Sequence, residues 1–183
     1  MNMTKIVLFN KPFNILCQFT DNEGRETLAD FITIPEVYAA GRLDKDSEGL
    51  LILTNNGELQ HKISHPKHKQ WKTYWAQLDG QINQDAVNIL KRGVMLKDGK
   101  TKPSKCRIID EPPQLWPRSP PVRYRANIPT SWIELSIHEG KNRQVRRMTA
   151  AVGFPTLRLI RYSIGDWCLD GLLPGDSKVI EIE

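Results

Sequence analysis

Short apolar runs, each closed by turn residues, recur along this 183-residue chain and limit what it can become. Ile6–Phe9 and Leu50–Leu53 are uninterrupted apolar stretches, as in strands buried on both faces. Thr73–Leu78 and Trp132–Ile137 alternate instead, as strands do when one face meets a core and the other meets water. Ile133, Leu135 and Ile137 point one way in that reading, and Trp132, Glu134 and Ser136 the other. Two stretches carry helical signals. Asp85–Lys91 offers Val87, Ile89 and Leu90 as a core face with Gly93 as a stop. Asn142–Val152 has Asn142 as N-cap, Val145, Met148 and Val152 as an apolar stripe, and Gly153 and Pro155 as the stop. On that helix Arg143 and Arg147 share another face, while Arg146 sits about 100° from Val145. The expectation is a strand-rich α+β or α/β chain with few helices.

One segment excludes regular structure. Between Glu111 and Thr130 stand six prolines, at 112, 113, 117, 120, 121 and 129, too dense for a helix or a central strand. Trp116, Arg118, Arg123, Tyr124 and Arg125 lie in the same segment, which reads as an ordered surface loop. Composition narrows the partners. Lys and Arg number 26 against 21 Asp and Glu, a net charge of +5, which favours a polyanion. Three cysteines with no CxxC pair make no disulfide framework, and a reducing, cytoplasmic setting follows. The apolar run after Lys5 is too short for a signal peptide, and no stretch reaches the roughly 20 residues of a membrane span.

The densest chemistry lies in Gly41-Arg42-Leu43-Asp44-Lys45-Asp46-Ser47-Glu48-Gly49-Leu50-Leu51. A carboxylate beside arginine stays ionised at neutral pH, which suits a nucleophile, a base or an electrostatic stabiliser. Read alone, the same residues also fit a solvated turn. Asp44, Asp46 and Glu48 alternate like calcium ligands but lack the remaining positions of a calcium loop. His61, His65 and His68 come without HExxH or a cysteine partner, so no metal is expected. Basic residues gather twice more: Lys62, Lys67, Lys69 and Lys72 with His65, His68 and Trp71, then Lys141, Arg143, Arg146 and Arg147, followed by Arg158 and Arg161. Such clusters suit phosphates, and the aromatics suit exposed bases.

In chain order, four segments resemble the motifs of RNA pseudouridine synthases, in the branch that modifies ribosomal RNA. They are Gly41-Arg42-Leu43-Asp44-x-Asp46-Ser47-x-Gly49-Leu50-Leu51, Lys72-Thr73-Tyr74, Glu139-Gly140-Lys141-Asn142-Arg143-Gln144-Val145-Arg146-Arg147-Met148, and Leu157-Arg158-Leu159-Ile160-Arg161 with Gly165 beyond. The resemblance implies the pseudouridine synthase fold: a mixed, mostly antiparallel sheet in two α+β halves with a central catalytic cleft. Residues 1–183 then form one catalytic domain, with no room for the S4-type RNA-binding domain of many relatives. It implies isomerisation of one uridine to pseudouridine in 23S ribosomal RNA, near the peptidyl transferase region, with no cofactor and no metal. The partner is that RNA or the assembling large subunit, and the chain acts as a monomer away from membranes.

By the same resemblance Asp44 is the catalytic aspartate, Arg146 the base that pairs with it, and Tyr74 the ring that stacks on the uracil. Leu159 walls the pocket, and Arg42 fills the space that the displaced uridine leaves. Lys72, Lys141, Arg143, Arg147 and Arg161 contact substrate. Which uridine is modified is not readable from the sequence. Two rivals explain part of the pattern. A non-catalytic RNA-binding module accounts for the bases and aromatics but not for Asp44 among them. A metal-dependent nuclease would use Asp44, Asp46 and Glu48.

Overall fold

The computed structural model describes residues 3–65, 68 and 70–183. Lys67 and Lys69 of the basic run lie outside the described residues. Two compact units emerge: Met1–Gln70 with Arg161–Glu183, and Trp71–Ile160. Each is mixed α and β, with few helices and with antiparallel strand pairing.

In the first unit β1 (Thr4–Lys11), β2 (Tyr38–Ala40) and β3 (Glu48–Thr54) are followed by α1 (Gly57–Ser64). All seven residues of β3 are buried, as are the last six of β1, so both apolar runs are strands covered on both faces, as their composition implies. The two pair antiparallel, with Val7 opposite Leu53 and Phe9 opposite Leu51. Those four side chains pack with Cys17, Leu28, Ile32 and Val37 into one core, and the Phe9 and Phe31 rings lie 5.7 Å apart. β2 runs along β3. The helix α1 has no counterpart in the sequence reading. Leu59 and Ile63 are its only large apolar residues, and only Ile63 is buried, too narrow a stripe to register. Its cap is clearer: the Asn56 side chain accepts from the Leu59 N–H at 3.1 Å.

In the second unit β4 (Lys72–Asp79) precedes α2 (Gln84–Arg92), the short hairpin strands β5 (Met95–Leu96) and β6 (Gly99–Lys100), then β7 (Lys105–Ile109) and β8 (Thr130–Ile137). β8 pairs with β4 and with β7. On β4 burial alternates, with Tyr74, Ala76 and Leu78 inside, as the sequence implies. On β8 it does not. Trp132 and Ser136 are buried as well as Ile133, Leu135 and Ile137. Alternating chemistry shows which face can meet a core, but not whether other chain covers the second face. Glu134 alone stays partly open in that run, and Arg107 pairs with it at 2.9 Å.

Helix α2 runs one residue further at each end than its sequence signal, with Asn83 as N-cap and Gly93 as C-cap. It buries Ala86, Val87 and Leu90, whereas Ile89 is 40% exposed. Two residues along a helix turn the side chain through about 200°, so Ile89 faces away from Val87. Segment 111–129 holds no helix or strand, as its prolines require. The chain continues into α3 (Gln144–Ala151) and β9 (Thr156–Ile164), whose last four residues return to the first unit. There β10 (Trp167–Cys168) pairs with β9, and β11 (Ser177–Ile182) pairs with β1.

Gly49, the second residue of β3, adopts a left-handed conformation, φ +111°. A side chain there would meet the backbone carbonyl oxygen of Arg161. Gly49→Ala is expected to lower the unfolding free energy by about 2–5 kcal/mol, from backbone strain and overpacking together. A denaturation midpoint equal to that of the wild type would show that the two backbones are not in contact.

Candidate active site

Asp44 stands on the loop from Gly41 to Ser47, between the end of β2 and the start of β3. The loop is held by its backbone. The Ser47 N–H donates to the Asp44 carbonyl at 3.1 Å and the Asn14 N–H to the Lys45 carbonyl at 2.9 Å. Leu43 is buried while Arg42 and Asp44 on either side are exposed, so an apolar anchor turns both charged side chains outward. Arg42 Nη2 reaches Gln18 Oε1 at 3.5 Å, the outer limit of a hydrogen bond.

Two buried cations lie beneath this loop. Lys11 Nζ donates to the carbonyls of Pro12 and Ile15 at 2.8 and 2.9 Å and of Lys45 at 3.3 Å. Burial pushes its ammonium down from 10.5 to about 8, against the opposing pull of Cys17, Glu48, Asp46 and Asp44. Arg161 is 3% exposed. Its Nε donates to the Leu50 carbonyl at 2.9 Å and its Nη2 to the Gly41 carbonyl at 2.7 Å. The fork of Arg161, a residue that the resemblance assigns to substrate, faces these two backbone oxygens. Lys11 escapes sequence reasoning altogether, because a lysine between a strand and a proline reads as an exposed end.

In the second unit Tyr74 and Leu159 belong to one buried cluster, with Ile137, Val145 and Met148 among its members. Tyr74 sits on β4 opposite Leu135, and Lys72 opens the same strand. Lys72 Nζ would lie 3.3 Å from a Cβ at position 140, an approach that Gly140 keeps open.

The basic helix starts later than its sequence suggests. α3 begins at Gln144 after Arg143, which is left-handed at φ +51° and supplies no side-chain cap. Asn142 therefore lies outside the helix and is not its cap. Gln144 closes the turn instead: its Oε1 accepts from the Lys141 N–H at 3.1 Å, and its Nε2 donates to Glu139 at 2.8 Å. Glu139 also accepts from the Lys102 N–H at 2.8 Å. Both side chains are buried, and an intact polar network at such a site makes the turn rigid.

The bases of this motif divide by role. Arg147 forks onto Asp98 at 2.9 and 3.3 Å and donates to the Asn142 carbonyl at 2.9 Å. Lys141 Nζ reaches the Asp98 carbonyl at 3.4 Å. These two therefore tie the β5–β6 turn to the motif, and the Arg147 guanidinium holds the Asp98 carboxyl below its ordinary range. Arg143 is exposed and Arg146 half-buried. Arg158 is buried, donating to the Trp116 carbonyl at 2.9 Å. Arg118 donates to the carbonyls of Pro120, Leu157 and Pro121 at 2.9, 3.2 and 3.4 Å. The first half of the proline-rich loop is thus anchored, while Arg123 and Tyr124, the latter 87% exposed, face solvent and the exposed Arg125 reaches Asp79 at 3.7 Å.

The His61, His65 and His68 rings gather with centroids 4.6 to 6.1 Å apart. Among the described residues no group of three or more His, Cys, Asp or Glu is placed to hold a metal ion. No helix among them is long and apolar enough to cross a membrane.

The Asp44 loop, the Tyr74 strand and the basic helix all lie within the match to one family. The RNA pseudouridylate synthase model covers residues 5–151, and the chain belongs to that family. At the level of individual relatives, it is 58% identical to "Ribosomal large subunit pseudouridine synthase E" of Vibrio parahaemolyticus over 97% of this chain and 74% of that one. A protein of the same name from Xanthomonas axonopodis pv. citri is 57% identical, over 92% and 90% of the two chains. A solved pseudouridylate synthase superposes with a TM-score of 0.80 at 29% identity, over 98% of this chain and 71% of that one.

The lysine gives a pH test. The folded state disfavours the Lys11 proton, so below about pH 8 both states are charged and folding bears the full penalty of burying the ammonium. Between about 8 and 10.5 the folded lysine is neutral and the unfolded one still charged, so the penalty fades. The stability of the wild type relative to Lys11→Met should rise across that window in urea unfolding. A flat difference would place the ammonium in water.

Proposed function

We propose that this chain converts one uridine of large-subunit (23S) ribosomal RNA into pseudouridine, with Asp44 as the reacting carboxylate and with no cofactor. The observation that carries the reading is likeness over 92 to 97% of this chain, at 57 and 58% identity, to relatives named for that activity. The backbone-held loop that presents Asp44 supports the residue assignment.

The chemistry is an isomerisation. The N1–C1′ bond breaks, the uracil turns, C5 bonds to C1′, and the C5 hydrogen leaves as a proton while N1 gains one. No electrons are gained or lost. An ionised carboxylate at the sugar serves either route, attack on C1′ or removal of a ribose proton to give a glycal. Arg146 is the base that the family motif assigns as partner to that carboxylate. Tyr74 stacks on the uracil, Leu159 walls the base, and Arg42 occupies the space left by the displaced uridine. Lys72, Lys141, Arg143, Arg147 and Arg161 bind the RNA substrate, Arg143 and Arg147 at its phosphates. The enzyme works as a monomer in the cytoplasm, on the RNA or on the assembling subunit.

The deciding experiment is tritium release from ribosomal RNA labelled at uridine C5, with chelator present. Wild type should release tritium and Asp44→Ala should not, while keeping its fold and most of its RNA binding. Release that stops with chelator would support a metal-dependent reaction instead. No release from free RNA or from immature particles would leave a binding module.

The exposed half of the proline-rich loop is the proposed RNA contact beyond the target base. Replacing Arg123 and Arg125 with Ala should weaken RNA binding and flatten the plot of log K against log salt by about one to two units. An unchanged slope would remove the loop from the interface.

A further inference from the structure

We propose that Trp71, with Lys105 and His138 around it, is a stacking platform for an unpaired RNA base flanking the target uridine, with the Lys105 ammonium as partner of the adjoining phosphate. The inference rests on the reading of the chain as an enzyme of ribosomal RNA, and it concerns a nucleotide other than the one that reacts. Trp71 stands just before β4 and is 36% exposed. A ring kept partly in water suits a contact that a partner completes. Its direction follows from the register, because opposite residues of antiparallel strands share a face. Tyr74, Leu135 and Cys106 lie opposite one another and face the apolar cluster. Thr73, Ser136 and Lys105, one residue along, therefore share the other face, and Trp71, two residues before Thr73, belongs with them.

Three side chains from the ends of β4, β7 and β8 meet there. The Trp71 and His138 rings lie 4.5 Å apart at 62°, edge to face, and Lys105 Nζ stands 4.3 Å from the centre of the Trp71 ring. Lys72 follows Trp71, and its Nζ would lie 3.3 Å from a Cβ at Gly140, two residues past His138. The acids close by are committed elsewhere. Glu139 is buried on Gln144 and the Lys102 N–H, at 2.8 Å each, and Glu134 pairs with Arg107 at 2.9 Å. These strand ends thus present a ring and two ammoniums, which is the chemistry of a base with its phosphates. Lys105 is exposed and sits on a flexible stem. An exposed ammonium holds a ring less strongly than a stacked base does, so the base displaces Lys105 and the ammonium moves to the phosphate. Trp71 lies three residues from Tyr74, about 10 Å along an extended strand and on the opposite face, so one base cannot stack on both.

The test is quenching of Trp71 fluorescence by single-stranded oligouridylate, read as the difference between wild type and Trp71→Phe, beside a fully paired RNA duplex of equal length. The single strand should quench the difference signal and the duplex should not, because its bases are already stacked on one another. Trp71→Ala should raise Kd for the single strand about fivefold to a hundredfold and leave the plot of log K against log salt parallel to that of wild type, since no charge is lost. Trp71→Phe should recover most of that loss. Lys105→Gln should flatten the plot by about 0.7 and keep the quench. A difference signal that the single strand leaves unquenched overturns the platform, as does wild-type affinity in a folded Trp71→Ala or equal quenching by the duplex. Should Trp71→Ala fail to fold, the wild-type quench and the salt plot of Lys105→Gln decide in its place. None of these readouts needs turnover. Wild type that releases no tritium while Trp71 is quenched would overturn the reading of the activity alone, and release beside an unquenched Trp71 would overturn the platform alone.

Discussion

A strand whose every residue is buried cannot shift without unpacking the core on both its faces. β3 is such a strand, and the Asp44 loop ends where it begins. Phe9, Leu51 and Leu53 hold it through the apolar core of the first unit. Gly49 lets the Arg161 backbone come against it where any side chain would collide. The guanidinium of the same residue then reaches past the strand to Gly41. Burial, close backbone approach and a charged fork therefore act at one place, and the loop inherits its geometry from them.

In the second unit a polar network performs the comparable task. Glu139 and Gln144 close the turn, Val145 and Met148 enter the core, and Arg147 with Lys141 holds Asp98. Within the run of bases from Lys141 to Arg147, Arg147 and Lys141 engage Asp98, while Arg143 is exposed. The donors of Arg158 and Arg118 end on backbone carbonyls of the proline-rich loop or of the strand beside it.

The places where sequence reasoning failed share a cause. Ile89 is apolar but turned out of the core by helical geometry, and β8 buries a second face that its alternation assigns to water. Asn142 is a good capping residue, yet Gln144 supplies the closing bonds from inside the first turn. The helix α1 carries too little apolar surface to announce itself and is set by its cap and its neighbours. In each case the residue type was read correctly and its surroundings were not, because burial and hydrogen-bond partners are set by the packing around an element rather than by its composition.

The sequence by itself determined the strands β1, β3, β4 and β8, the irregular course of 111–129 and the family, because apolar period, proline density and ordered motifs are local properties. It also singled out Asp44, Tyr74 and Arg146 as residues, by resemblance. Only the tertiary structure decided which charges are committed inward. Lys11 and Arg161 are as basic as any surface residue in composition. They lie buried on carbonyls one to 120 positions away, and the free energy of a buried charge depends on the partners that folding gathers around it rather than on residue type.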